Sequence, residues 1–373
     1  MKRFLLVSVV CALALTACGD GAKTIRIGFI GPLTGDLSSA GNDMLNAARI
    51  AVDEVNAEGG IDGKKVELIA EDGRCNGADA ASAAQKLVNV DEVVAIVGAG
   101  CSSETLAAAP IAEASKIVMV SPLSSSPDVT NAGDFIFRIY PSDGLKGKAI
   151  GAFLSKAGYK KLAIIGENTD FCQGIRSSVK KDLPAGITVV FDEVVDQGTR
   201  DYRTLMTRLK KVDFDVFLAN GQSDAAVAEM TKQMRALGMK QQIVGTDTAD
   251  SANLGKLAKD AVEGLKPLSV PMLDESGEKS SAFAKVFRQR YDEPKFGMFF
   301  AALTYDAAHL LMQQIGKDGT GEKLRDGLYA LPSYEGVSGT FHFDENGDVI
   351  GIPFAMKEFK GGELQQSEII PLP

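Results

Sequence analysis

The chain has 373 residues, 45% of them apolar and 24% charged, with 40 Lys and Arg against 49 Asp and Glu for a formal charge of −9. That mix excludes a disordered or fibrous chain, and the length suits two domains of ordinary size. An acidic chain without a basic tract is a poor partner for nucleic acid, and two histidines exclude a His-rich metal centre and leave a His-based triad without support.

The chain opens with an export signal. Lys2 and Arg3 precede an apolar run from Phe4 to Leu15, too short to span a bilayer comfortably. Leu15-Thr16-Ala17-Cys18 then resembles a bacterial lipobox, in which the cysteine becomes the lipidated first residue after cleavage. Residues 1–17 are read as signal peptide and 18–23, with Gly19-Asp20-Gly21, as a flexible lipid tether. The rival reading is a plain signal peptide cut near Ala17. No later apolar run reaches about 18 residues, so the mature chain is not expected to span a membrane. Cys11 leaves with the signal and Cys18 carries lipid. Cys75, Cys101 and Cys172 remain in an oxidising compartment, where two are expected to pair and one to stay free.

Thr24 to Ile30 is a strand-like run ended by Gly31-Pro32. Met44, Leu45, Ala48, Ala51, Val52 and Val55 recur at helical spacing, and Gly59-Gly60 stops that helix. Strands are expected over Val66 to Ala70, Val93 to Val97 and Ile117 to Val120, with helices over Ala78 to Val88 and Leu106 to Ala114. This alternation implies a parallel sheet covered by helices on both faces.

The pattern then restarts. Strands are expected over Lys161 to Ile165, Thr188 to Val194, Val216 to Ala219 and Gln242 to Val244. Helices are expected over Gln173 to Lys181, Tyr202 to Lys210 and Ala225 to Leu237. The chain therefore reads as two successive open α/β units. Phe341 to Val349 reads as a hairpin around Asn346-Gly347. Asp344, Asn346 and Asp348 imitate part of a calcium loop, but the full 12-residue spacing with its terminal Glu is absent, so no metal is assigned.

Open α/β sheets bind ligands beyond the carboxyl ends of their strands. The turns there are small and polar: Gly31 to Gly35, Gly98 to Ser103, Ser121 to Ser125, Glu167 to Phe171, Asn220 to Gln222 and Thr246 to Thr248. Ser102 precedes a helix, so its hydroxyl and the nearby N–H groups suit an anion, unless Ser102 or Ser103 is only a cap. Asp247 ends a strand with no Lys or Arg within three positions and suits a ligand ammonium, unless it is only a turn residue. No Gly-x-Ser-x-Gly, dinucleotide fingerprint or P-loop is present. No catalytic residue, cofactor or metal is assigned.

At this point the chain resembles the type I periplasmic substrate-binding proteins of the branched-chain amino-acid ABC transporter family. The likeness rests on Ile27-Gly28-Phe29-Ile30-Gly31-Pro32-Leu33-Thr34-Gly35, Val55-Asn56-Ala57-Glu58-Gly59-Gly60-Ile61-Asp62-Gly63 and Glu71-Asp72 before Cys75. It continues in Val97-Gly98, Cys101-Ser102-Ser103, Val120-Ser121-Pro122 and Asp201-Tyr202. The resemblance implies two open parallel-sheet α/β lobes joined by three crossings at a hinge. Lobe 1 would take 24–142 plus 271–350, and lobe 2 would take 143–270 plus 351–373. It also implies a Cys75–Cys101 disulfide, which fits the two cysteines following successive strands and leaves Cys172 free.

The family's ligand positions fall on Ser102 for a carboxylate, Leu123 and Ser125 for a carbonyl and a hydroxyl, and Asp247 for the ammonium. Phe171 and Gln222 stand where the family has aromatic groups, Ala40 replaces a first-loop aromatic, and Phe300 supplies a wall. The function implied is an extracytoplasmic receptor, a monomer held to the membrane by lipid, that binds a small amino acid and delivers it to the membrane subunits of an ABC permease. The alternatives are a receptor for aromatic carboxylates or short amides, which would not need Asp247, and a dedicated ligand sensor on the same fold.

Overall fold

The computed structural model describes residues 24–370. The signal segment, the tether with Cys18, and residues 371–373 lie outside the described residues.

The first part of the chain runs β1 (Ile25–Gly31), α1 (Ser38–Ala57), β2 (Val66–Asp72), α2 (Gly77–Asn89), β3 (Ala95–Val97), α3 (Ser102–Ala114), β4 (Val118–Ser121) and β5 (Ile136–Arg138). The second part runs α4 (Asp143–Lys156), β6 (Lys161–Glu167), α5 (Asp170–Lys181), β7 (Thr188–Val195), α6 (Arg203–Leu209), β8 (Val216–Asn220), α7 (Asp224–Ala236), β9 (Gln242–Gly245), α8 (Ala252–Ala258) and β10 (Lys266–Ser269). Then follow α9 (Glu278–Tyr291), α10 (Met298–Asp318), α11 (Glu322–Tyr329), β11 (Tyr334–Glu335), β12 (Thr340–Phe343), β13 (Val349–Ile350), β14 (Phe354–Lys360) and β15 (Glu363–Ile370).

The first sheet has five parallel strands in the order β2-β1-β3-β4-β5. Its central strands are apolar on both faces because both faces are covered. Ile27, Phe29 and Val97 pack toward α1 and α10, while Ile30, Ile96 and Met119 pack toward α2 and α3. The second sheet has seven strands in the order β15-β14-β10-β9-β8-β6-β7. Strands β6 to β10 are parallel, but β14 and β15 are antiparallel additions, so this sheet is not purely parallel as strand-helix alternation alone implies. A two-residue break, Gly361-Gly362, lets β14 turn back into β15, and both glycines have positive φ.

The chain passes between the two sheets three times: from β5 to α4, from β10 to α9, and from β13 to β14. These connections lie beside one another, and the strand ends of both sheets face the cleft they border. The small sheet β11-β12-β13 includes the expected hairpin. Its carboxylates have internal partners. Asp344 accepts from the backbone N–H of Asn346 and Asp348, and Asp348 receives a two-pronged contact from the buried Arg138, Nε to Oδ1 at 2.6 Å and Nη2 to Oδ2 at 2.6 Å. The calcium-like spacing is thus an Asx turn plus a tie to β5.

Candidate ligand-binding site

Six strand-end turns converge on one cavity. From the first sheet come Pro32, Leu37, Gly100, Ser102 and Leu123; from the second come Phe171, Gln222, Asp247 and Thr248. Ala40 and Met44 of α1, Tyr140 of the first crossing, and Phe296 and Phe300 complete the wall. The cavity brings together Ser102, Leu123, Phe171, Gln222, Asp247 and Phe300 of the residues singled out in the sequence.

The first-sheet side is a rigid, polar turn. Helix α3 starts at Ser102, and its N-cap is Cys101, so neither Ser102 nor Ser103 is the cap. The Glu104 carboxylate holds this start by accepting from the N–H groups of Cys101 and Cys75, each at 2.8 Å. Those two cysteines form the disulfide, and Cys172 is free and buried. Ser102 Oγ accepts from Ser126 N–H at 3.1 Å, which leaves the hydroxyl proton for another acceptor. A close backbone approach supports the turn: a Cβ on Gly98 would stand 2.4 Å from the Ile30 carbonyl oxygen. A hydroxyl and the first amides of a 13-residue helix together suit a carboxylate.

Ser125 does not line this cavity. Its hydroxyl donates to Asp143 Oδ2 at 2.8 Å and its carbonyl accepts from Asp143 N–H at 2.8 Å. The expectation that this hydroxyl meets a ligand directly is therefore corrected: it is committed to the Asp143 side chain at the start of α4, whose N-cap is Ser142.

The second-sheet side is acidic but crowded. Asp247 is reached by the Tyr140 hydroxyl on one oxygen and by the Lys146 ammonium on the other. Lys146 also contacts Asp143 at 2.8 Å. Sequence reasoning saw no cation near Asp247 because Lys146 lies about a hundred residues away, on the inner face of α4. Lys146 is fully buried; burial opposes its charge, but Asp143 and Asp247 together outweigh that and raise its pKa. Asp143 is pushed up by burial, with Lys146 acting against the rise. A second buried pair, Lys357 with Asp250 at 2.6 Å, sits behind the cluster.

Between the two sides the wall is aromatic. Tyr140 and Phe300 stack at 6.1 Å between centroids, and Phe296 meets Phe300 edge-on at 4.7 Å. Segment 293–297 is held there by Asp43 of α1, which accepts from Phe296 N–H at 2.8 Å. Gln222 is anchored through its backbone N–H to Glu167 Oε2 at 2.6 Å, while its side-chain Oε1 is buried and without a partner among the described residues. That oxygen is an acceptor awaiting a donor. Tyr140, Lys146, Asp143 and Phe296 were not legible as site residues, whereas Thr248 lay in a turn already singled out. The one available signal was the position of Tyr140 two residues past the strand Ile136–Arg138.

The two sides meet around the cavity. Gly174 of α5 lets the second sheet's helix approach the Pro127–Asn131 turn, where a Cβ would lie 2.8 Å from Pro127 Cδ. Arg200 reaches Asp36 across the cleft mouth.

Residues 24–362 match the family model described as periplasmic binding protein. The chain is 29% identical over 343 residues to a leucine-, isoleucine-, valine-, threonine- and alanine-binding protein of Pseudomonas aeruginosa, covering 91% of this chain and 90% of the relative. It superposes with a TM-score of 0.85, at 29% identity, on a branched-chain amino acid transporter substrate-binding protein of Streptococcus pneumoniae solved in complex with isoleucine, covering 94% of this chain and 100% of that one. A solute-binding protein of R. palustris solved with benzoate shares the fold, with a TM-score of 0.84 at 20% identity over 94% of this chain and 98% of that one.

Proposed function

The chain belongs to the periplasmic binding protein family, and we propose that it is an extracytoplasmic receptor that binds a small amino acid between its lobes and delivers it to an ABC permease. One observation carries the ligand class: a helix start with a free hydroxyl proton at Ser102 faces an acidic cluster at Asp247 across a single apolar cavity. A zwitterion places its carboxylate at the first and its ammonium at the second. The aromatic wall suits an aliphatic side chain, and the unpartnered Gln222 oxygen suits a ligand N–H or O–H. The amino-acid-binding relatives support the same reading. The lobes are taken as 24–142 plus 271–350 and 143–270 plus 351–373, closing about the three crossings.

A thermal-shift screen of the twenty amino acids, with benzoate, 4-hydroxybenzoate and short amides beside them, tests the proposal. A specific ligand at 100 times its Kd stabilises by about 2.7 kcal/mol. One observation favours the aromatic-carboxylate alternative. Asp247 already has Tyr140 and Lys146 as partners, so a ligand without an amino group leaves no bare carboxylate. A screen in which only aromatic acids raise the Tm overturns the amino-acid reading.

The receptor is also proposed to be a monomer anchored through lipid on Cys18. A single acyl chain binds membranes marginally, and several hold stably. Intact-mass analysis of membrane-extracted protein should show a lipid increment that disappears in Cys18→Ser.

A further inference from the structure

The acidic cluster behind the cavity holds one positive charge too few. Asp143 and Asp247 share a single cation, Lys146. Asp143 and Lys146 are fully enclosed, and Asp247 is 7% exposed. Among the described residues, neighbouring elements supply no further charge to balance them. Asp250 and Lys357 neutralise each other at 2.6 Å, and Tyr140, Ser125 and Ser269 contribute hydroxyls. With both carboxyls ionised, two carboxylates against one ammonium in a dry site leave a net charge of about −1, which such a site relieves by taking either a cation or a proton.

We infer that Asp143, which does not line the cavity, determines the receptor's preference for a ligand amino group, by holding part of the Lys146 charge away from Asp247. This inference rests on the amino-acid reading and adds to it the residues that set the charge count. The cluster is balanced when a ligand brings one ammonium to Asp247. A carboxylate of the same shape lacking the amine leaves the excess charge in place. Lys146 alone with Asp247 would be a neutral pair with little call for a cation. Asp143 makes the site one cation short, and Ser125 fixes Asp143 by accepting its N–H and donating to its Oδ2, each at 2.8 Å. Asp143 and Lys146 are positioning residues, because Lys146 touches Asp247 and Asp143 touches Lys146, and neither lines the cavity.

The test compares L-leucine with 4-methylpentanoate, which has the same skeleton without the amine, by calorimetry on wild type and Asp143→Asn. The amide is isosteric and its oxygen still accepts from Ser125, so Lys146 is released to Asp247 alone. The leucine preference should shrink at least about tenfold, because one buried charge within a few ångströms has been removed. A merely structural role for Asp143 would weaken both ligands alike, so an unchanged ratio overturns the inference. A wild type that binds 4-methylpentanoate as tightly as leucine instead overturns the amino-acid reading beneath it. If Asp143→Asn does not fold, wild type alone decides: calorimetry in buffers of different ionisation enthalpy should show 4-methylpentanoate taking up about one more proton than leucine. Equal proton counts for the two ligands overturn the inference.

Discussion

Arg200 and Asp36 form an ion pair across the mouth of the cleft, the guanidinium following β7 and the carboxylate following β1. The two side chains are 39% and 51% exposed, so the pair is screened and adds little to the stability of either sheet. Because the pair bridges the two sides of the cleft, its expected effect is on ligand release. Arg200→Ala should speed ligand release by up to about fivefold, which is the reach of an exposed pair worth roughly 1 kcal/mol, and should leave the association rate nearly unchanged. Stopped-flow measurements at low and high salt check this. An equal effect on association would point to a long-range field rather than a latch.

Asp247 and Ser102 are expected to contribute unequally to head-group binding. Asp247→Ala removes a buried partner of Lys146 and of the proposed ligand ammonium, with an expected loss of about 3 to 5 kcal/mol. That is a hundredfold or more in affinity at roughly 1.4 kcal/mol per decade. Ser102→Ala should cost about 1 to 3 kcal/mol, because the helix amides still face the carboxylate. Titration calorimetry with the amino acid found by screening compares the two. Asp247→Ala binding as tightly as the parent would remove the ammonium from this site.

The cysteines give a prediction about accessibility. Cys75 and Cys101 are bonded, 26 positions apart, while the Cys172 thiol is fully buried in α5, and burial pushes its pKa up. Peptide mapping without reductant should recover Cys75–Cys101, and native Cys172 should resist iodoacetamide until the protein unfolds. Replacing both bonded cysteines with Ser should destabilise by about 3 kcal/mol on the chain-entropy estimate. Rapid native alkylation of Cys172 would contradict its enclosure.

The strands and helices that alternate in sequence were readable because each carries its own period. β6 and β8 show uninterrupted apolar runs, β1 and β2 show apolar runs broken near their starts by Arg26 and Glu67, and α1 shows a clear stripe. The chain beyond β9 was not read in the same way. α10 is buried on most sides, so it has no polar face to mark its period. β15 is largely exposed and polar, and its assignment comes from pairing with β14. The site was legible where a residue sits at a strand end, as Ser102 and Asp247 do. It was not legible where the partner arrives from another element. Lys146 is one basic residue among several in α4, and nothing local distinguishes it from a solvated lysine. Ser125 was misplaced for the same reason: its turn was recognisable, but the direction of its hydroxyl is set by Asp143 across the crossing.

Buried carboxyls make the last prediction, a stability that falls as pH rises. Burial pushes Glu104 up to about 7, although the N–H groups of Cys101 and Cys75 act against the rise. Burial likewise raises Asp306 and Asp43 to about 6, against the Ser338 hydroxyl on Asp306 and the backbone N–H groups that both accept from. The unfolded chain releases these protons near 4.5 for Glu104 and 3.8 for the two Asp residues. Between those values and the folded ones, the folded state binds more protons than the unfolded state, so its stability decreases as pH increases. The contribution is fully present below the unfolded values and is lost as pH climbs to the folded ones. His309 opposes this, because burial lowers its pKa and the unfolded chain then holds the extra proton. Single-variant differences separate the two. Urea unfolding of wild type should give a ΔG smaller at pH 7.5 than at pH 5.5, with Glu104 contributing on the order of 2 kcal/mol to the difference. Glu104→Gln cannot ionise, so it should lose stability at pH 5.5, where it forfeits one backbone hydrogen bond, yet show a flatter dependence over this range. A Glu104→Gln profile as steep as the parent's would mean that Glu104 is ionised in the folded protein throughout, held by the two cysteine amides.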